Sequence, residues 1–130
     1  MLIVLDASAA VEIVLNKEKA GLLMSRLSEA ETLMAPELYI SEVTNVFWQY
    51  FTYKSLPVDI CETALNRAIE LIDNFTAVKE LYREAFSLSC QMKNSVYDSL
   101  YLVLARRNNA LLLTMDKKLN QIARQILVKF

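Results

Sequence analysis

At 130 residues the chain has room for one domain and little more, and its 55% hydrophobic content, with two prolines and one glycine, supplies core rather than loop and excludes disorder. A net charge of −1 sets up no global field for a polyanion, so any contact with nucleic acid must come from local cations or bound metal. The absence of histidine excludes Ser-His-Asp and Cys-His triads and the common zinc sites, which leaves carboxylates to carry any hydrolytic chemistry.

In chain order, Leu2–Leu5 is a continuous apolar run, as expected of a strand buried on both faces of a parallel sheet. It is too short for a signal-peptide core, and no stretch approaches the roughly 20 apolar residues of a membrane span. Residues 9–15 read as a helix, and 17–29 as a second with Ala20, Leu23, Met24 and Leu27 at helical spacing. Residues 32–35 are a candidate strand, with Pro36 placed for the first turn of a helix over 37–53. Leu56-Pro57 breaks that pattern and a further helix runs to Asp73. Residues 75–78 are a third candidate strand and 81–92 a helix, followed by a turn at Lys93-Asn94. Ser95 then stands as an N-cap with Asp98 at the third helical position, the spacing of a capping box. Leu111–Leu113 is a buried strand, Thr114-Met115-Asp116 leads into a last helix, and 126–130 is a candidate final strand. Strands alternating with helices predict one α/β domain over residues 1–130, with a mainly parallel sheet of four or five strands flanked by helices.

In such sheets the ligand site lies beyond the carboxyl ends of the strands, which singles out Asp6 and Asp116. Each also has a plain alternative as the cap of the helix that follows it. Asp98 opens a helix that is apolar on nearly every face, where a carboxylate gains from the helix dipole whether or not it has a further role. Steps of three and four residues put Glu42, Asn45 and Gln49 on one face of a very apolar helix, which is either its solvent face or the wall of a site. The aromatic group Phe47, Trp48, Tyr50, Phe51 and Tyr53 circles the same helix too widely to be core alone. Cys61 and Cys90 sit singly in helical patterns with no metal-ligand spacing and read as two reduced core thiols of a cytoplasmic protein, with a disulfide as the alternative.

Four segments resemble those of the PIN-domain nucleases, specifically the VapC-type toxins of prokaryotic toxin–antitoxin pairs. They are Val4-Leu5-Asp6-Ala7-Ser8-Ala9; Ala35-Pro36-Glu37 with Ser41-Glu42-Val43-Thr44-Asn45-Val46; Tyr97-Asp98-Ser99-Leu100-Tyr101-Leu102; and Leu113-Thr114-Met115-Asp116-Lys117-Lys118-Leu119. They occur in the family's order across essentially the whole chain, while 56–92 matches in pattern only. The resemblance implies that Asp6, Glu42, Asp98 and Asp116 form an acidic metal-binding quartet, supported by Thr114, Asn45 and Ser8, with a helix cap an equal explanation of Ser8. It implies hydrolysis of RNA by a metal-activated water, leaving a 5′-phosphate and a 3′-hydroxyl. A homodimer and a VapB-like antitoxin, whose peptide lies across the acidic groove, are implied as partners. Lys117 and Lys118 are candidates for gripping the RNA backbone, with a solvated helix face as the alternative.

Two carboxylates about 5 Å apart at an effective dielectric near 20 repel by roughly 3 kcal/mol, so four need protons or a cation. An all-oxygen cluster suits Mg²⁺ or Mn²⁺ better than zinc. The competing reading is a non-catalytic, phosphoacceptor-type α/β module binding Mg²⁺. Such modules usually pair adjacent acids early and use a lysine after a later strand, whereas here Asp6 is alone. A phosphatase with an aspartate nucleophile expects an acid two residues after the first, where this chain has Ser8.

Overall fold

A computed structural model describes residues 1–127, and within them every predicted strand except the last is present. The elements run β1 (Leu2–Leu5), α1 (Ala7–Val14), α2 (Ala20–Leu27), β2 (Thr32–Pro36), α3 (Leu38–Lys54), α4 (Val58–Glu70) and β3 (Asn74–Thr76). A single 3₁₀ turn (Val78–Glu80) leads to α5 (Tyr82–Met92), α6 (Val96–Arg107), β4 (Leu111–Leu113) and α7 (Lys117–Ile126).

All strand pairs are parallel, in the order β3-β2-β1-β4, so β1 is central and carries the most apolar run. Ile3, Val4 and Leu5 are wholly buried, as a strand covered on both faces must be. The chain steps from β1 to β2 to β3 in one direction and then crosses back to β4 on the far side of β1. Right-handed crossovers therefore send α1–α4 to one face and α5–α6 to the other. The packing agrees: α1, α3 and α4 contact one another, while α6 lies on β1, β2 and β4 with α5 against it. Every residue from Ser99 to Ala105 in α6 is buried, as its all-round apolar sequence requires. The reversal between β1 and β4 is the switch point at which open α/β sheets form a crevice beyond their strand ends.

Several boundaries differ from the sequence-based expectation, each for a local reason. Helix α1 begins at Ala7 rather than residue 9 because Asp6, not Ser8, is its cap: Asp6 Oδ1 accepts from the Ala9 N–H at 3.0 Å. Helix α2 begins three residues late because the Glu12 carboxylate takes the Lys19 N–H at 2.9 Å and holds the connection out of helix. Pro36 ends β2 in register with Thr76 instead of opening α3, and the Glu37 N–H donates to the Thr76 carbonyl at 2.9 Å. A proline at a strand end gives up little, since a missing N–H there breaks no central ladder. The strand expected at 75–78 is Asn74–Thr76, and Val78 starts the 3₁₀ turn. The sheet has four strands among the described residues: Ile126 closes α7, and 128–130 of the expected last strand lie outside them. No helix of the described residues is long and apolar enough to cross a membrane.

Candidate active site: an acidic cleft at the carboxyl edge of the sheet

The turns after β1 and β4 are joined by hydroxyl groups. Asp6 is buried, and it can only accept hydrogen bonds once ionised. Ser8 Oγ donates to Asp6 Oδ1 at 2.7 Å and Thr114 Oγ1 donates to Asp6 Oδ2. Each hydroxyl has one proton, and Asp6 takes both, so each turns lone pairs toward backbone N–H groups. Met115 N–H accordingly donates to Ser8 Oγ and Asp116 N–H to Thr114 Oγ1, each at 3.0 Å. Asn120 Nδ2 adds a bond to the Thr114 carbonyl at 3.1 Å. Asp116 in turn caps α7, its Oδ1 accepting from Leu119 N–H at 3.1 Å. The capping alternative is therefore correct for Asp6 and for Asp116, and it does not compete with a site role. The cap uses one oxygen of each carboxylate and fixes where the group sits.

Glu42 and Asp98 reach the same place from helices on opposite faces of the sheet. Asp6, Ala7, Ser8, Glu42, Asn45, Val46, Asp98, Tyr101 and Asp116 together line one open cleft of about 310 Å³. Glu42 and Asn45 thus wall the site, whereas Gln49, on the same helical stripe, is exposed and outside the lining. Asp98 follows the Ser95 cap as the spacing predicts, with Asp98 N–H donating to Ser95 Oγ at 3.1 Å. Thr114 lies buried behind Asp6 rather than in the cleft wall. Lys117 and Lys118 are exposed on the first turn of α7, beside Asp116. Of the aromatic group, Phe47 is core and Tyr50 half-buried, while Trp48, Phe51 and Tyr53 stand exposed.

Tyr101 is the polar lining residue to which sequence reasoning gave no role. Its hydroxyl donates to Glu42 Oε1 at 2.5 Å. The available signal was spacing: Tyr101 lies three residues after Asp98 and so shares its face of α6.

The electrostatics are those of negative charge gathered with no ion pair to it among the described residues. Burial raises the Asp6 carboxyl above its ordinary value, against the hydrogen bonds from Thr114, Ala9 and Ser8. Burial also raises Glu42, with Asp6 and Asp98 adding repulsion and Tyr101 opposing. Asp98 is raised by burial and then by Asp116, while Ser95 and Lys118 oppose. Tyr101 is pushed far up by burial and by the Glu42 charge, so it stays a hydrogen-bond donor at any working pH. The ion pairs of the described residues, Met1 with Glu31 and Arg106 and Arg107 with Glu84, leave all four acids unpaired.

A carboxyl whose folded value is raised binds its proton more tightly in the folded state, so it favours folding at low pH. That contribution is fully present below the ordinary carboxylate range of about 4 and is lost as pH rises through the raised values. In chelator, thermal melts should therefore show the wild-type protein gaining stability relative to Asp98→Asn as pH is lowered from 7 toward 5. Parallel pH profiles for the two proteins would contradict this repulsion.

The donor set fits a hard divalent cation: oxygen only and several anionic groups, none of them in an ion pair among the described residues. Among the described residues the acids line the cleft without any three closing on one point, so holding an ion requires side-chain adjustment. Asp6 and Asp116 are anchored by their caps and Glu42 is held by the Tyr101 hydroxyl, so the adjustment falls chiefly to Asp98.

Over 124 residues the chain is 32% identical to Ribonuclease VapC3 of Pyrobaculum aerophilum, covering 92% of each protein. A crystal structure of PAE2754 from the same organism superposes with a TM-score of 0.70 at 15% identity, over 97% of this chain and 89% of that one, a likeness of fold. The sequence model of the PIN domain matches residues 3–125, from the first buried position of β1 to the last turn of α7. The chain belongs to the PIN domain family.

Proposed function

We propose that residues 1–130 form a single endoribonuclease domain, dependent on Mg²⁺ or Mn²⁺, that serves as the toxin of a toxin–antitoxin pair. The observation that carries this reading is the meeting of four acids, unpaired among the described residues, in one cleft at the switch point of the sheet. Family membership and the likeness to Ribonuclease VapC3 support RNA as the substrate, and metal dependence is general among PIN-domain nucleases. Asp6, Glu42, Asp98 and Asp116 would hold the ion. When bound, it supplies charge neutralisation, an activated water and stabilisation of the attacked phosphate.

The remaining work belongs to the chain. Ser8 and Thr114 hold Asp6 in one orientation through both of its oxygens. Glu42 faces the cleft from α3 and orients the attacking water, with Asn45 beside it on the wall. Water adds to phosphorus, the bond to the 3′ oxygen breaks, and that oxygen leaves as a 3′-hydroxyl opposite a 5′-phosphate. Lys117 and Lys118, exposed next to Asp116, take the flanking phosphates. A VapB-like antitoxin covers the acidic cleft. The exposed Trp48, Phe51 and Tyr53, with Val58 and Ile60 at the start of α4, form the homodimer face. Cys61 is buried as expected, whereas Cys90 is exposed on α5 and not in the core, and the two free thiols suit the reducing cytoplasm.

The test is cleavage of single-stranded RNA by purified protein. Activity should require Mg²⁺ or Mn²⁺, stop with chelator, and be lost in Asp6→Asn, which keeps the cap geometry but not the charge. Metal-dependent cleavage that survives Asp6→Asn would mark a contaminating nuclease and remove the assignment.

A further inference from the structure

We propose that Tyr101 is a positioning residue for this cleft: its hydroxyl fixes the Glu42 carboxylate through Oε1 and leaves Oε2 to face the incoming cation and substrate. The inference rests on reading the cleft as a metal-dependent nuclease site. It starts from an asymmetry among the four acids. Asp6 and Asp116 stand at helix starts, where free N–H groups hold one oxygen of each. Asp98 is at a helix start too, within reach of Ser95. Glu42 lies inside α3, where backbone N–H groups are already used within the helix.

A long side chain in that position needs a tether from elsewhere. Tyr101 Oη, 2.5 Å from Glu42 Oε1, is the only group donating to Glu42 among the described hydrogen bonds. Tyr101 is 2% exposed, so water does not compete for its hydroxyl. The ring is held in the core of α6 three residues from Asp98, which ties the Glu42 side of the cleft to the Asp98 side across the sheet edge. A short hydrogen bond to a carboxylate is among the strong, directional ones. Removing a partner that orients a metal-binding group typically costs 10–100-fold in affinity.

The experiment is a double-mutant cycle on Tyr101→Phe and Glu42→Ala, read by calorimetric Mn²⁺ titration and by kcat and KM on single-stranded RNA. Tyr101→Phe should keep the wild-type circular dichroism, weaken Mn²⁺ binding by about 10–100-fold, and lower kcat with little change in KM. In the Glu42→Ala background the same substitution should add no further loss. Wild-type affinity in Tyr101→Phe, or an equal loss in both backgrounds, would overturn the positioning role. Should Tyr101→Phe fail to fold, Glu42→Asp keeps the charge but shortens the reach to the hydroxyl, and it should show the same weakened binding. Undiminished Mn²⁺ affinity in Glu42→Asp would then reject the proposal. Asp98→Asn separates the two levels. Mn²⁺ binding abolished there but intact in Tyr101→Phe removes only Tyr101, whereas no Mn²⁺ binding by wild type removes the nuclease reading as well.

Discussion

Asp98→Asn is expected to lose RNA cleavage by about 10³-fold, equivalent to about 4 kcal/mol of transition-state stabilisation, and to melt higher than wild type in chelator. The two effects share one origin. The Asp98 carboxyl is half-buried and faces Asp116 across the cleft, and burial and that neighbour both resist its ionisation. An amide of the same shape removes the repulsion and, with it, the charge that a cation would meet. The Ser95 cap accepts from the backbone N–H of residue 98, so the start of α6 survives the substitution. A loss of activity through misfolding is thereby distinguishable, because it would lower the melting temperature. Cleavage at the wild-type rate would show that Asp98 has no part in the reaction.

Mn²⁺ at 100 times its dissociation constant should stabilise the folded protein by about 2.7 kcal/mol, a rise in Tm on the order of 10 °C for a chain of this length. Differential scanning fluorimetry with and without chelator reads it directly. The shift should shrink sharply in Asp6→Asn and Asp98→Asn, since each deletes one charge of the cleft. An equal shift in the variants would place the bound ion elsewhere, and no shift at millimolar Mn²⁺ would contradict a divalent-cation site.

The parts of this molecule that could be read from its sequence are those fixed by local chemistry. Leu2–Leu5 and Leu111–Leu113 are apolar on consecutive positions, which only a strand covered on both faces tolerates, and the acids that follow them emerge at one edge of the sheet. The Ser95 cap was legible for a similar reason, since its partner lies three residues away. Glu42 was not decidable from periodicity. The 3.6-residue repeat puts it on a face with Asn45 and Gln49, but which part of that face meets a neighbour depends on how α3 crosses the sheet. Thr114 and Asp6 are 108 positions apart, so a hydroxyl bond between them has no local signature. Tyr101 was hidden by its company: a tyrosine within Leu100, Leu102, Val103 and Leu104 reads as filling for the core, and most of its ring is that. The late starts of α2 and the placement of Pro36 turned on single side-chain and backbone bonds from outside the segment, Glu12 to Lys19 and Glu37 to Thr76.

The strand order has a consequence for how the acids are apportioned along the chain. Two of them, Asp6 and Glu42, precede α4, and two, Asp98 and Asp116, follow α5, so the stretch between them divides the set evenly. A break there yields two pieces, each with half the carboxylates and neither with a complete cleft. The β1–β4 pairing and the Tyr101–Glu42 bond both cross that divide and would have to re-form before the acids could meet. The molecule is thus wired like a circuit with contacts in separate halves: the cleft closes only when both are present and joined.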